Sequence, residues 1–206
     1  MVENIFEELF VRYPSLTVCR DSIYKAYLLL KNCYDNSGKV LCCGNGGSSA
    51  DCDHLVGELM KGFLKKRPLT QSEKSSFSDK KTAEGLQKAL AAISLTTQSG
   101  LMTAFENDCD PSLVFAQQVY AYARSYDVLI AFSTSGNSAN IVSALDAAKA
   151  SGISCIAVTG CEESMCSKLS DVCIRLPENE TFKIQELTLP VYHCLAAMIE
   201  ETYFTE

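Results

Sequence analysis

The sequence predicts an α/β fold: a parallel sheet between two helical layers, three layers in all, flanked by N- and C-terminal helices. Three observations predict it. Short apolar runs of strand length recur along the 206 residues. Segments with apolar residues at helical spacing lie between them. Two of the runs feed into polar turns rich in Gly, Ser and Thr. Regular alternation of this kind argues for parallel strands joined by crossover helices.

The elements follow in order. Residues 1–36 read as helical, with Ile23, Tyr27, Leu30 and Cys33 spaced along one face. Asn36-Ser37-Gly38 ends that segment. Lys39 to Cys43 reads as a strand running into the turn Gly44-Asn45-Gly46-Gly47-Ser48-Ser49, and Ala50 to Phe63 as a helix. Residues 64–84 are polar and rich in lysine, the pattern of an exposed insertion. Ala89 to Leu95 reads as a strand, Pro111 to Ser125 as a helix and Asp127 to Phe132 as a third strand. A turn at Ser133–Ser138 precedes the amphipathic helix Ala139 to Ala150. Ile153 to Val158 and Val172 to Leu176 are the last strands. The final 25 or so residues are helical in pattern, with a kink or break expected at Pro190. The whole, 1–206, is expected to form a single domain.

Composition narrows the function. Hydrophobic residues make up 47% and charged residues 21%, as in a globular protein with a sizeable core. No apolar run reaches the ~18 residues that span a bilayer. The first residues carry acids without a basic stretch before an apolar one, so no signal peptide and a cytoplasmic location are expected. A net charge of −7 disfavours nucleic acid as a partner. It leaves room for a small anion, which backbone N–H groups bind without side-chain charge. The odd count of 11 cysteines, without zinc-ribbon spacing, reads as reduced and mostly buried thiols.

Two turns carry the chemistry. The first lacks the sixth-position glycine of a dinucleotide loop and the lysine of a P-loop, so no nucleotide cofactor is expected. By itself it fits a strand-to-helix turn with N-caps. The second places Ser133, Thr134, Ser135 and Ser138 within six residues ahead of a helix. One cap needs one hydroxyl, and four point to an anion held at a helix N-terminus, most simply a phosphate monoester. The chain has two histidines, His54 and His193. His54 and Glu58 are one turn apart on one helix face, an arrangement equally compatible with an ordinary i,i+4 pair. Gln185 and His193 are eight residues apart, about 12 Å of helical rise.

At these positions the sequence resembles a family. CGNGGSSADCDHLVGEL (43–59), FSTSGNSANIVSALDAAKASG (132–152) and KIQELTLPVYHCLAAMIE (183–200) are similar to the signature segments of phosphoheptose isomerases, enzymes of the sugar isomerase (SIS) fold. The resemblance covers most of residues 20–204. It implies interconversion of sedoheptulose 7-phosphate and a heptose 7-phosphate, in a homotetramer with active sites shared between subunits. It implies that Ser48, Ser133, Thr134, Ser135 and Ser138 hold the phosphate. Asn45 and Asp108 would face the sugar, with Gln185 also at the substrate. Glu58 and His193 would be the acid–base pair, and His54, Glu58, Gln185 and His193 the zinc ligands of some members.

Two departures stand out. Phe182-Lys183 replaces an Asp-Arg pair common in the family, and the segment after Phe63 is longer, near the expected mouth of the site. Non-catalytic relatives that accompany the bacterial replication initiator, and phosphosugar-responsive regulators, are the competing readings. The retained His54, Glu58, Gln185 and His193 argue against the first. The acidic charge and the lack of a recognisable DNA-binding segment argue against the second.

Overall fold

The computed structural model describes residues 1–204. Five parallel strands, β1 (Val40–Gly44), β2 (Ala92–Ser94), β3 (Val128–Phe132), β4 (Ser154–Thr159) and β5 (Val172–Arg175), form one sheet in the order β2-β1-β3-β4-β5. The α/β expectation holds, and all five expected strands are present, with ends shifted by up to three residues. Burial alternates along the strands because side chains alternate between faces. Val40, Cys42, Val128, Ile130 and Phe132 join one apolar cluster, and Leu41, Cys43, Leu129 and Ala131 the other.

Among the described residues ten α-helices flank the sheet. Those of the first layer are α1 (Val2–Arg12), α2 (Arg20–Asp35), α3 (Gly47–Met60) and α10 (Thr181–Tyr203). The second layer holds α6 (Ser99–Asp108), α7 (Val114–Tyr122), α8 (Ala139–Ala150) and α9 (Met165–Leu169). The short helices α4 (Gln71–Lys74) and α5 (Lys80–Gly85) lie in the insertion.

Four expectations need correction. The N-terminal helical stretch is interrupted at Pro14, which opens a 3-10 turn over Pro14–Cys19. Pro190 neither breaks α10 nor ends it, as the helix runs through from Thr181 to Tyr203. Proline inside a helix costs ~3 kcal/mol. The carbonyl it frees belongs to exposed Glu186, and Val191, Tyr192, Cys194 and Leu195 bury the next turns. The insertion is largely exposed, yet it is not simply a solvated loop: Arg67 is completely buried. Thr70 and Glu73 form a capping box on α4, and Asp79 caps α5. Helix α6 lies in a stretch that carries no clear helical periodicity, and none of its residues is buried.

Two aspartates, Asp127 buried and Asp171 exposed, fasten the amino ends of the strands. Asp127 accepts hydrogen bonds from the backbone N–H groups of Lys39 and Arg124 at 2.9 and 2.8 Å, and pairs with the Lys39 ammonium at 2.5 Å. Asp171 does the same for Cys155 N at 2.7 Å. The Asp127 bonds fix β1 beside β3, the pairing on which the site depends. Removing such a carboxylate strands two N–H donors and a half-buried ammonium. Asp127→Ala is expected to destabilise the fold by about 3 kcal/mol, read as a lowered urea midpoint at unchanged m-value.

Candidate active site

The chain crosses from β1 to the edge strand β2 and returns to β3 on the other side of β1. This reversal is a topological switch point, and the crevice beyond the strand ends there is where open α/β sheets bind ligands. Gly44 pairs with Phe132 in register, so the turns that follow β1 and β3 emerge side by side. Two helices, α3 and α8, begin from those turns, and their positive ends face the same crevice. The Asn45 and Asn140 side-chain amides tie the turns together by reciprocal hydrogen bonds of 2.9 Å.

The hydroxyl turn is shaped for a ligand rather than for capping. Ser138 is the N-cap residue of α8, but its side chain makes no cap bond. It lies 3.3 Å from the Ser133 hydroxyl instead. Ser133 is buried, Thr134 and Ser138 half-buried, and Ser135 exposed. Gly136 has φ +65°, and a Cβ there would stand 2.1 Å from Ser164 Oγ, so only glycine fits. In the first turn Ser48 is buried. Gly46 takes φ +56° at the N-cap of α3, again without a side-chain cap. A Cβ on Gly47 would meet the Gln185 amide nitrogen at 2.5 Å. Gln185, at the start of α10, therefore sits against the glycine turn.

Helices α3 and α10 run in the same direction from that point. Two turns on, His54 Nδ1 lies 2.9 Å from the Tyr192 hydroxyl, and His54 Nε2 lies 3.1 Å from Glu58 Oε1. With Tyr192 donating to Nδ1, the imidazole proton sits on Nε2 and is donated to the carboxylate. Lys61 donates to the other Glu58 oxygen at 3.1 Å. The His54 and His193 rings are 5.0 Å apart, centre to centre, and Phe63 flanks His193 at 5.3 Å. Burial, then the neighbouring His54, hold His193 below the ordinary imidazole pKa, against the pull of Glu58. Burial likewise pushes the Tyr192 phenol and the Asp51 carboxyl up. An i,i+4 pair contributes only ~0.2–0.5 kcal/mol to a helix. Burying Leu55 and Leu59 on the opposite face contributes about 2 kcal/mol each. His54 and Glu58 are not what holds α3 in place, which leaves them available for chemistry.

The predicted residues thus separate into three groups. Asn45, Ser48, Ser133, Thr134, Ser135, Ser138 and Gln185 surround the paired turns. His54, Glu58 and His193 cluster further along the α3–α10 seam. Asp108 belongs to neither: it is exposed at the end of α6, where it accepts a hydrogen bond from Asn107 at 2.8 Å. The four expected zinc ligands do not converge within this chain. Both His54 nitrogens are engaged, Gln185 is turned to Gly47, and among the described residues no three His, Cys, Asp or Glu side chains stand close enough to hold a metal ion. In kind the donors suit zinc, and His193 Nε2 is a buried nitrogen without a hydrogen-bond partner. Tyr192, Asn140, Lys61 and Asp51 are participants that sequence spacing did not single out. Cys43 and Cys52, beside the first turn, are fully buried with their thiols pushed up in pKa by burial, so they are inert.

The SIS domain family model matches residues 16–109 and 83–160. A phosphoheptose isomerase of Rhodospirillum rubrum is 36% identical over 89% of this chain and 87% of its own. Phosphoheptose isomerase 1 of Campylobacter jejuni is 34% identical over 98% of both. The chain belongs to the phosphoheptose isomerase family. The solved phosphoheptose isomerase of Neisseria gonorrhoeae superposes with a TM-score of 0.73 at 30% identity, covering 97% of this chain and 91% of that one. That of Francisella tularensis gives 0.77 at 27% identity, over 97% and 96%. The SIS-fold expectation is met over nearly the whole length.

Ser138 separates anion binding from capping. A lost N-cap costs typically ~1 kcal/mol. Ser138→Ala is expected to leave the thermal midpoint unchanged while raising KM for a sugar phosphate, measured by calorimetry and steady-state kinetics on one preparation.

Proposed function

We propose that the chain isomerises sedoheptulose 7-phosphate to a heptose 7-phosphate through an enediol. The observation that carries this reading is a carboxylate in contact with one imidazole and beside a second, on a seam that starts at two converging helix N-termini. The phosphate binds between the two turns, on the N–H groups of α3 and α8 and on Ser48, Ser133, Thr134, Ser135 and Ser138. Gln185 and Asn45 orient the sugar. About 10 Å of helical rise separates Gly47 from His54, so an open-chain sugar anchored by its phosphate lays its far end beside the imidazoles.

The reaction moves one proton between adjacent carbons. Glu58 takes the proton from C1 of the ketose and returns it to C2. The electron pair passes through the enediolate, and His193 carries the proton between the C2 and C1 oxygens. Burial and the neighbouring His54 favour the neutral form of His193, which can accept a proton before donating one. Lys61 and His54 hold the two Glu58 oxygens in place. A zinc ion bound by His54, Glu58, Gln185 and His193 would polarise the sugar carbonyl.

Assembly and location extend the same reading. Asp108 reaches a sugar only across a subunit boundary, in a homotetramer with shared sites. In support, α6 buries none of its residues within the chain and exposes Leu101. A cytoplasmic location fits both a phosphorylated sugar and the 11 cysteines, all unpaired in the described structure. Among the described residues no helix is long and apolar enough to cross a membrane. Nothing in the geometry favours a non-catalytic binding role.

Across a panel of five- to seven-carbon ketose phosphates, turnover is expected to be highest with the seven-carbon substrate. Glu58→Gln should lower it by roughly a thousandfold with folding intact. Wild-type turnover by folded Glu58→Gln would defeat the reading. Mixing dissociated and reassembled Asp108→Asn and Glu58→Gln proteins, each inactive alone, should restore part of the activity. Absence of any recovery, with mixed tetramers verified by mass, would place Asp108 outside a shared site.

A further inference from the structure

The insertion after Phe63 returns a buried cation to the catalytic helix. Arg67 and Glu200 form an ion pair at 2.8 Å, with side chains 0% and 1% exposed. Neither charge is spent on the other alone. Arg67 Nη1 donates to the carbonyl of Leu59 at 2.7 Å, and Nη2 to the carbonyl of Glu58 at 3.2 Å. Helix α3 ends at Met60, so these belong to the last-turn carbonyls that lack intrahelical partners. Arg67 thus caps α3 at its negative end, on the backbone of the residue assigned as base. Glu200 accepts from the backbone N–H groups of Phe63 at 2.8 Å, Leu64 at 2.7 Å and Lys65 at 3.1 Å. The Phe204 ring lies 4.5 Å from the guanidinium and completes its enclosure.

The two ends of this brace matter. Glu200 is seven residues beyond His193 on α10, about 10 Å of rise, and Arg67 grips the segment of α3 that bears Glu58. One buried pair therefore fixes the helix carrying the base against the helix carrying the imidazole. The peptide between, residues 61–66, contributes Lys61 to the Glu58 carboxylate and Phe63 to the His193 ring. A solvated loop would leave the register of α3 and α10 to the His54–Tyr192 hydrogen bond and to apolar side chains, which tolerate sliding. A guanidinium with directed bonds to two carbonyls and a carboxylate does not.

We propose that Arg67, braced by Glu200, is a positioning residue for Glu58: it sets the distance and direction from which the carboxylate meets the substrate carbon. This inference rests on the assignment of Glu58 as the base. A proton transfer is sensitive to sub-ångström placement, whereas phosphate binding at the other end of the cleft is not. The brace should accordingly act on kcat and spare KM.

The test uses the full-length protein and sedoheptulose 7-phosphate, with wild type and Glu58→Gln as references. Arg67→Lys keeps the buried charge but not the forked bonds. The double variant Arg67→Met with Glu200→Gln removes both charges together, which avoids an unpaired buried ion. Each folded variant is expected to lose roughly ten- to a hundredfold in kcat with KM within twofold of wild type. Arg67→Lys should retain more activity than the double variant. A folded variant with wild-type kcat overturns the inference, as does a loss confined to KM. Failure of both variants to fold overturns it as well, since Arg67 would then act in folding alone. Activity in Glu58→Gln itself marks failure of the underlying assignment, a result independent of the Arg67 variants.

Discussion

The adjacency of β1 and β3 governs this molecule. Because the chain visits the edge strand β2 before returning to β3, the crossovers that leave β1 and β3 start from neighbouring strands. Their turns meet beyond the carboxyl ends, and two helix N-termini point into one crevice. No other placement of the same elements would pair the amides of Asn45 and Asn140. Asp127 secures the opposite end of this strand pair and so supports the crevice from below the sheet.

That geometry resolves an apparent conflict between charge and ligand. A chain of net charge −7 is a poor general receptor for anions. On the proposed reading the crevice attracts them through fixed dipoles: the positive ends of α3 and α8, neither closed by a side-chain cap, and the hydroxyls between them. Such donors carry no net charge and need no counterion. Acidity elsewhere on the surface then matters little over the few ångströms at which a phosphate is held, because solvent and salt screen it.

Legibility in the sequence followed the range of the interaction. Strands β1, β3 and β4 are buried on both faces, and their apolar runs announce them. The hydroxyl turn was legible because its residue count exceeds what capping needs. The pairing of His54 with Glu58 is local and was readable from spacing. Tyr192 meets His54 across 138 positions, and Arg67 meets Glu200 across 133. No periodicity encodes such contacts. Arg67 was hidden for a second reason: it lies in a lysine-rich stretch whose composition reads as solvated, and composition averages over it. One trace did exist, since Glu200 and Glu201 close the otherwise apolar run Cys194–Ile199, where a charge demands a partner. Helix α6 is faint in the sequence because its few apolar residues, Met102 and Phe105 among them, pack only partly buried against the second layer.

The start of α10 bears on how the proton is moved. The family resemblance places an Asp-Arg pair where this chain has Phe182 and Lys183, just ahead of Gln185. Here Phe182 is exposed, and Lys183 turns to Glu180 at the helix start and to the Phe182 ring. No carboxylate at that position faces the crevice to share the work of a base. On the proposed reading the proton transfer falls to Glu58, whose two oxygens are already directed by His54 and Lys61. A base without a second carboxylate at that position must be well placed. A rigid support beneath it, joining the end of α3 to α10, is what such chemistry requires, and the bonds of Arg67 to Leu59, Glu58 and Glu200 join those two helices.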